Sequence, residues 1–203
     1  MIKTFWVAAA LVGSAAILSA QAIDPDTFKV NYFSNNPPSI CDGNGNSVSC
    51  VVQPDGIPDS TVRITNVGTS GGNLCADIYV FDPYQELAEC CSCKITPDGL
   101  LTLSVGYNLT SNTLTGVPLS TGAIKIVSSS TCNASAPKPA SGIRAWGTHG
   151  QIGISATFVL TETEFLDAGL SAVELSRLSA ECSAIQLDGS NHGTCSCGNG
   201  PPV

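Results

Sequence analysis

The chain is short of charge. Only 12% of its 203 residues are Asp, Glu, Lys or Arg, and eight basic residues face sixteen acidic ones. Nucleic-acid phosphates demand a basic footprint, so a net charge of −8 argues against a nucleic-acid partner. Low charge combined with 43% hydrophobic residues also excludes wholesale disorder. Histidine is confined to His149 and His192, which leaves little for an imidazole-built metal centre or a general base. Methionine occurs only at position 1, and aromatic residues make up 6% of the chain. Beyond residue 22 no apolar run approaches the roughly 20 residues needed to span a bilayer. There is no heptad run, long charge block or internal repeat.

What is present begins with Met1–Ala22. Lys3 supplies a positive start, Phe5–Leu18 is an apolar stretch, and Ala20-Gln21-Ala22 is a small-x-small cleavage pattern. The segment reads as a secretory signal peptide, which implies a secreted protein, extracellular or periplasmic, with a mature chain from Ile23. The mature part holds all ten cysteines: Cys41, Cys50, Cys75, Cys90, Cys91, Cys93, Cys132, Cys182, Cys195 and Cys197. An even count behind an export signal predicts disulfides. Cys41 and Cys50 bracket a Gly/Asn loop that they can close locally. Adjacent Cys90 and Cys91 should seek different partners, because a bond between neighbours is strained.

Period-two alternation dominates the middle of the chain and predicts strands. Gln151–Thr161 places Ile152, Ile154, Ala156, Phe158 and Leu160 on one face. Leu101, Leu103, Val105 and Tyr107 repeat the pattern, and Cys75–Asp82 is apolar on both faces, as a central strand would be. Shorter candidates are Phe28–Phe33, Val62–Val67, Ala123–Val127 and Ile143–Trp146. The joints between them are rich in Gly, Pro and Asn. Residues 23–203 therefore read as one domain, an antiparallel β-sandwich (Ig-like or jelly-roll-like), with a closed barrel as the alternative. One C-terminal helix is expected over 171–187. Ser171 is its N-cap, Glu174 completes a capping box, and Leu170 and Leu175 form a hydrophobic staple. Leu175, Leu178, Cys182 and Ile185 line one face before Asp188-Gly189 ends the helix. Cys182 then points inward, so Cys182 and the Cys195/Cys197 tail are the expected partners of Cys90, Cys91 and Cys93.

Candidate chemistry is sparse. The clusters Glu89-Cys90-Cys91-Ser92-Cys93 and Cys195-Ser196-Cys197, with His192 nearby, offer zinc or copper ligands. Export favours the disulfide reading over the metal one. Asp42, Asn44, Asn46, Asp55 and Asp59 hint at a calcium loop, but three carboxylates fall short of six to eight oxygen ligands. Asp55–Asp59 is similar to part of the thrombospondin type 3 calcium repeat, with Val51 and Gln53 where that pattern needs acids. No cofactor is therefore expected, with calcium as the alternative, and no metal residue is assigned. Glu162 and Glu164 share a strand face as a two-carboxylate site requires. Their position at a strand end reads instead as a solvated edge. No catalytic residue is assigned. Trp146 and Tyr84 flank turns and are the aromatics to watch for ligand stacking, while Asn108 and Asn133 head formal glycosylation sequons.

The stretch Val62–Leu103, with its YVFD and ECCxC patterns, together with RAWGTH and TETEF further on, resembles a group of cysteine-rich secreted bacterial proteins. The resemblance implies a bacterial source and export, and it implies no mechanism. The expectation is a secreted, disulfide-stabilised, non-catalytic structural or surface-interaction protein. Its partner would be an extracellular polysaccharide or another surface protein, with no membrane span once the signal is removed. The alternatives are a carbohydrate-binding module using Asp42, Asp55, Asp59 and Trp146, calcium-dependent or not, and a small secreted hydrolase.

Overall fold

The computed structural model describes residues 25–35, 40–41, 50–51, 59–152 and 158–198. The signal-like segment, Asp42 and Asp55 lie outside the described residues. In chain order the strands are β1 (Phe28–Ser34), β2 (Ile40–Cys41), β3 (Cys50–Val51), β4 (Thr61–Asn66), β5 (Leu74–Phe81) and β6 (Leu87–Ile95). They continue with β7 (Leu100–Ser104), β8 (Thr121–Ser129), β9 (Ile143–Ile152), β10 (Phe158–Glu164) and β11 (Leu166–Asp167), and helix α1 (Ala172–Leu187) follows. Two sheets, β11-β1-β8-β5-β6 and β10-β9-β4-β7, are antiparallel throughout, and β2 pairs with β3 in a separate ribbon. The fold is an antiparallel β-sandwich with α1 as a third layer on the five-stranded sheet.

Strand β5 shows why the layers stack this way. Leu74, Ala76, Ile78 and Val80 join Val62, Ile64, Leu103, Ile143 and Ala145 of the other sheet in the core between the sheets. Tyr79 and Phe81, on the opposite face, lie in a second core with Leu178, Cys182 and Ile185 of the helix. A sheet covered on both sides leaves no solvent face, and all eight β5 residues are buried.

The predicted strand Gln151–Thr161 is corrected to a hairpin: β9 ends at Ile152, β10 begins at Phe158, and these two residues are cross-strand partners. The pattern ending at Tyr107 is corrected too. β7 stops at Ser104, a π-helical turn spans Val105–Leu109, and Tyr107 faces solvent. The helix begins as its cap residue requires. Ser171 Oγ accepts the Glu174 N–H at 3.1 Å, and Leu170 is buried with Leu175 packed beside it. The reciprocal half of the capping box is replaced. The Glu174 carboxylate accepts hydrogen bonds from Lys125 Nζ at 2.6 Å and from Arg177 Nε at 3.1 Å instead. Ser171→Ala should therefore lower stability by about 1 kcal/mol in urea unfolding, the usual worth of one cap hydroxyl. A change below a few tenths would show that the cap is idle.

Disulfides staple the layers. Cys90–Cys182 ties β6 to α1, and Cys75–Cys132 ties β5 to the loop after β8. Cys91–Cys195 and Cys93–Cys197 fasten the C-terminal tail to β6. The Cα separations, 5.2 to 5.8 Å, suit the bond. Cys41 and Cys50 are backbone partners in the β2–β3 ladder. The tail also hydrogen-bonds to β6, with Cys90 N–H donating to Gly193 O at 2.8 Å, so it covers an otherwise open sheet edge.

Candidate functional site

Helix α1 covers only part of the outer face of the five-stranded sheet. Phe28, Tyr79, Cys90 and Val127 lie beneath it. Farther out, Val30, Asn31 and Tyr32 of β1 and Ala123 of β8 form the floor and one wall of a groove of about 530 Å³, and Thr163, Glu164 and Leu166 form the other wall. Tyr32 is 51% exposed and Leu166 75% exposed. A smaller hollow of about 260 Å³ continues from Ala123 past Phe81 to Lys125 and Arg177. Both cations stand over the Phe81 ring, at 4.9 and 5.2 Å from its centroid.

Tyr32 is held from below. Its ring stacks on His149 with centroids 4.0 Å apart and planes 17° from parallel. His149 is buried on β9, and its Nε2 lies 2.8 Å from Thr163 Oγ1. Asn31 Nδ2 donates to the same hydroxyl at 3.2 Å, and Asn31 Oδ1 accepts the Tyr32 N–H at 2.9 Å. Burial disfavours the imidazolium and holds the His149 pKa below the usual histidine range. Gly147 permits this approach: a Cβ there would lie 3.2 Å from Asn31 Nδ2 and 3.3 Å from Phe165 Cε2. At Phe165, which is buried, the chain passes from β10 of one sheet to β11 of the other, closing the corner beside the groove.

The residues singled out in the sequence are mostly elsewhere. Trp146 is half-buried on β9, in register with Arg63 and Glu164, and does not line the groove. Tyr84 projects from the β5–β6 turn, 84% exposed. Asp59 fastens the π-helical turn: its carboxylate accepts the Gly106 N–H at 3.0 Å and the Ser104 hydroxyl. Glu162 and Glu164 sit exposed on β10, an edge strand. Glu162 pairs with Arg63, and Glu164 forms part of the groove rim. His192 lies in the tail with Nδ1 3.1 Å from Asn112 Oδ1. Asn108 is buried, and its Nδ2 donates to Ser196 Oγ and Gly198 O, so this sequon offers no free amide for a glycan. Gly68-Thr69-Ser70-Gly71-Gly72 has GxSxG spacing, but it is a turn between β4 and β5. A nucleophile elbow needs a strand-to-helix turn.

Two carboxyls are buried in the sheets. Asp77 on β5 is fully buried, and its pKa is pushed up to about 6 by desolvation, against hydrogen bonds from Ser92, Ser129 and the Asn133 N–H. Glu89 on β6 is pushed up to about 7 by desolvation, against the Asn112 N–H, which donates to Oε1 at 2.8 Å. Asp77 Oδ2 and Glu89 Oε2 have no hydrogen-bond partner among the described residues. The visible signal for Asp77 is a lone acid in the otherwise apolar run CADIYVF.

No helix among the described residues is long and apolar enough to cross a membrane. No protein-family model matches the chain, and no curated protein matches it in sequence. Among solved structures, the chain is similar to the Anabaena sensory rhodopsin transducer at 12% identity, over 66% of this chain and 94% of that one. The TM-score is 0.33, too slight a likeness to carry any argument.

Proposed function

We propose that the protein is a secreted, non-catalytic surface-interaction protein that binds neutral carbohydrate through the Tyr32 groove. The observation that carries this reading is the half-exposed Tyr32 ring, stacked on the buried His149 at the edge of an open groove. An aromatic face packs against the C–H face of a sugar ring, and a rigid one does so at little entropic cost. Glu164 on the groove wall offers a carboxylate to sugar hydroxyls, while Asn31 and Thr163 are engaged in the hydrogen bonds that brace the floor. Glu164 on the rim and the net charge of −8 disfavour anionic chains. A non-catalytic role is supported by Glu162, whose carboxylate is engaged by Arg63, and by the His149 Nε2 contact with Thr163. Disulfides that tie the five-stranded sheet to the helix and to the loop after β8 suit a binding scaffold exposed to an oxidising medium.

The test is affinity electrophoresis through gels containing neutral polysaccharides, followed by titration calorimetry on those that retard the protein. Tyr32→Ala should weaken binding by about tenfold or more, the worth of one stacked ring. Trp146→Ala should leave binding unchanged, and so should a chelator. Retardation by no polysaccharide, or equal binding by Tyr32→Ala, would overturn the reading.

A further inference from the structure

Helix α1 carries a second exposed feature near its C-terminus, apart from the Tyr32 groove. Glu181, Ala184, Ile185 and Asp188 are spaced i, i+3, i+4 and i+7, so they form one stripe over the last two turns. That stripe is one wall of an open groove of about 530 Å³, and Glu86, Leu87 and Leu114 form the other. The groove shares no lining residue with the Tyr32 groove. Its acids Glu181 and Asp188 stand about 10 Å apart along the helix axis, at roughly 1.5 Å per residue, with the two apolar residues between them. We infer that this groove docks an amphipathic helix of a partner protein, whose Lys or Arg residues at i and i+7 flank apolar residues at i+3 and i+4.

Charge selects the sign of the occupant. Glu86, Glu181 and Asp188 line the groove, and no lysine or arginine does so among the described residues. Arg177, the cation beside it, already bridges Glu174 and Glu181. That bridge takes only Oε1 of Glu181; Oε2 is shut off from water and has no hydrogen-bond partner among the described residues. A buried acceptor without a donor is costly, and an arriving ammonium or guanidinium group supplies one. The C-terminal end of α1 adds its own partial negative charge at the same place. A second copy of this chain is the wrong occupant. A two-fold contact would set these carboxylates against one another and join two chains of net charge −8.

Both walls are preformed, so docking has little of this chain to order. The Cys90–Cys182 bridge pins α1 to β6 right beside Glu181. On the other side, Leu114 N–H donates to Ala88 O at 2.9 Å and Asn112 N–H to Glu89 Oε1 at 2.8 Å, which lays this loop along β6. Thr113 Oγ1 donates to Val117 O at 2.8 Å and closes the loop on itself. Leu114, 41% exposed, is left to meet a partner's apolar side chain. A helix lying in a groove presents its residues at i, i+3, i+4 and i+7, the same spacing as the stripe it would face.

The probe is a fluorescently labelled peptide of leucine and lysine in that pattern, about 14 residues or four helical turns long, titrated into the mature chain and read by anisotropy. It should bind one to one, and added salt should weaken it as the carboxylates are screened. A peptide of the same composition with its lysines moved onto the leucine face should bind about tenfold more weakly, since its leucines no longer meet Leu114 and Ile185. Glu86→Gln combined with Glu181→Gln and Asp188→Asn should weaken binding about tenfold, at roughly two- to fivefold for each ion pair. Leu114→Ser should weaken it about fivefold, as loss of a half-buried leucine predicts. Glu162→Gln, which removes one charge from distant β10, should bind as the parent does. No binding, equal binding of the two peptides, or unchanged affinity in the triple variant and in Leu114→Ser would overturn the proposal. So would a parent that sediments as a dimer and becomes monomeric in Leu114→Ser, because the groove would then belong to a second copy.

Discussion

Removing both tail bridges, by replacing Cys91, Cys195, Cys93 and Cys197 with Ser or Ala, should destabilise the oxidised protein by about 5 kcal/mol, whereas removing Cys93–Cys197 alone should cost only about 2 kcal/mol. Both bridges span 104 residues of sequence, and taken singly each would restrict the unfolded chain equally. They do not act singly. With Cys90–Cys182 in place, Cys91–Cys195 closes a ring running from β6 through the helix disulfide to the tail, on the order of 15 residues, worth about 3 kcal/mol. Once that ring exists, Cys93–Cys197 closes only a few residues more and adds about 2 kcal/mol. Urea unfolding under non-reducing conditions measures both costs. Equal losses for the two variants, or a loss under 1 kcal/mol when both bridges are gone, would show that the nested-ring account is wrong. Both halves of the inner pair, Cys91 and Cys195, are buried in the core between the sheets, whereas the outer pair buries Cys93 there and leaves Cys197 exposed.

Much of this framework was legible in the sequence because its signals are local. Ser171 three residues ahead of Glu174, followed by Leu178, Cys182 and Ile185 at helical spacing, fixes where α1 starts and which face it buries. An inward Cys182 and a short tail then leave Cys90, Cys91 and Cys93 as natural partners, and the bridges follow that arrangement. The hairpin at Ile152 and Phe158 was invisible for a specific reason. These two cross-strand partners are both even-numbered, so the alternation in the sequence runs from β9 into β10 without changing phase. The groove was invisible for another reason. Tyr32 and His149 are 117 positions apart and lie in different sheets, and only the packing of β1 against β9 brings them together. Alternation places Tyr32 on a strand but says nothing about where the helix stops covering the sheet. Glu164 was visible as a candidate, and its neighbours Asn31 and Leu166 were not.

The protein should be about 3 kcal/mol more stable at pH 5 than at pH 8, the reverse of the trend set by salt-bridged carboxylates. Asp77 and Glu89 are responsible. Burial raises their pKa values from 3.8 to about 6 and from 4.5 to about 7, so the folded protein holds these two protons more tightly than the unfolded chain does. The resulting stability is fully present below the unfolded values and is lost as pH rises through about 6 and 7. His149 works against this as pH falls below 6.5, because burial resists its protonation, but it is one group against two. At lower pH the sign reverses. Arg177 and Lys125 outweigh burial to lower the Glu174 pKa, and at Asp26 burial is outweighed by Lys29 and Arg144. Stability from these pairs is present above the unfolded carboxylate values and disappears as pH drops through the folded ones. The maximum should therefore fall near pH 4–5, between the two sets of carboxyls. Asp77→Asn combined with Glu89→Gln should flatten the profile between pH 5 and 8, since an amide stays neutral in the same burial. Urea titrations across that range decide the point. A wild-type free energy that is level or rising from pH 5 to 8, or a double variant that keeps the slope, would remove these two carboxyls as its cause.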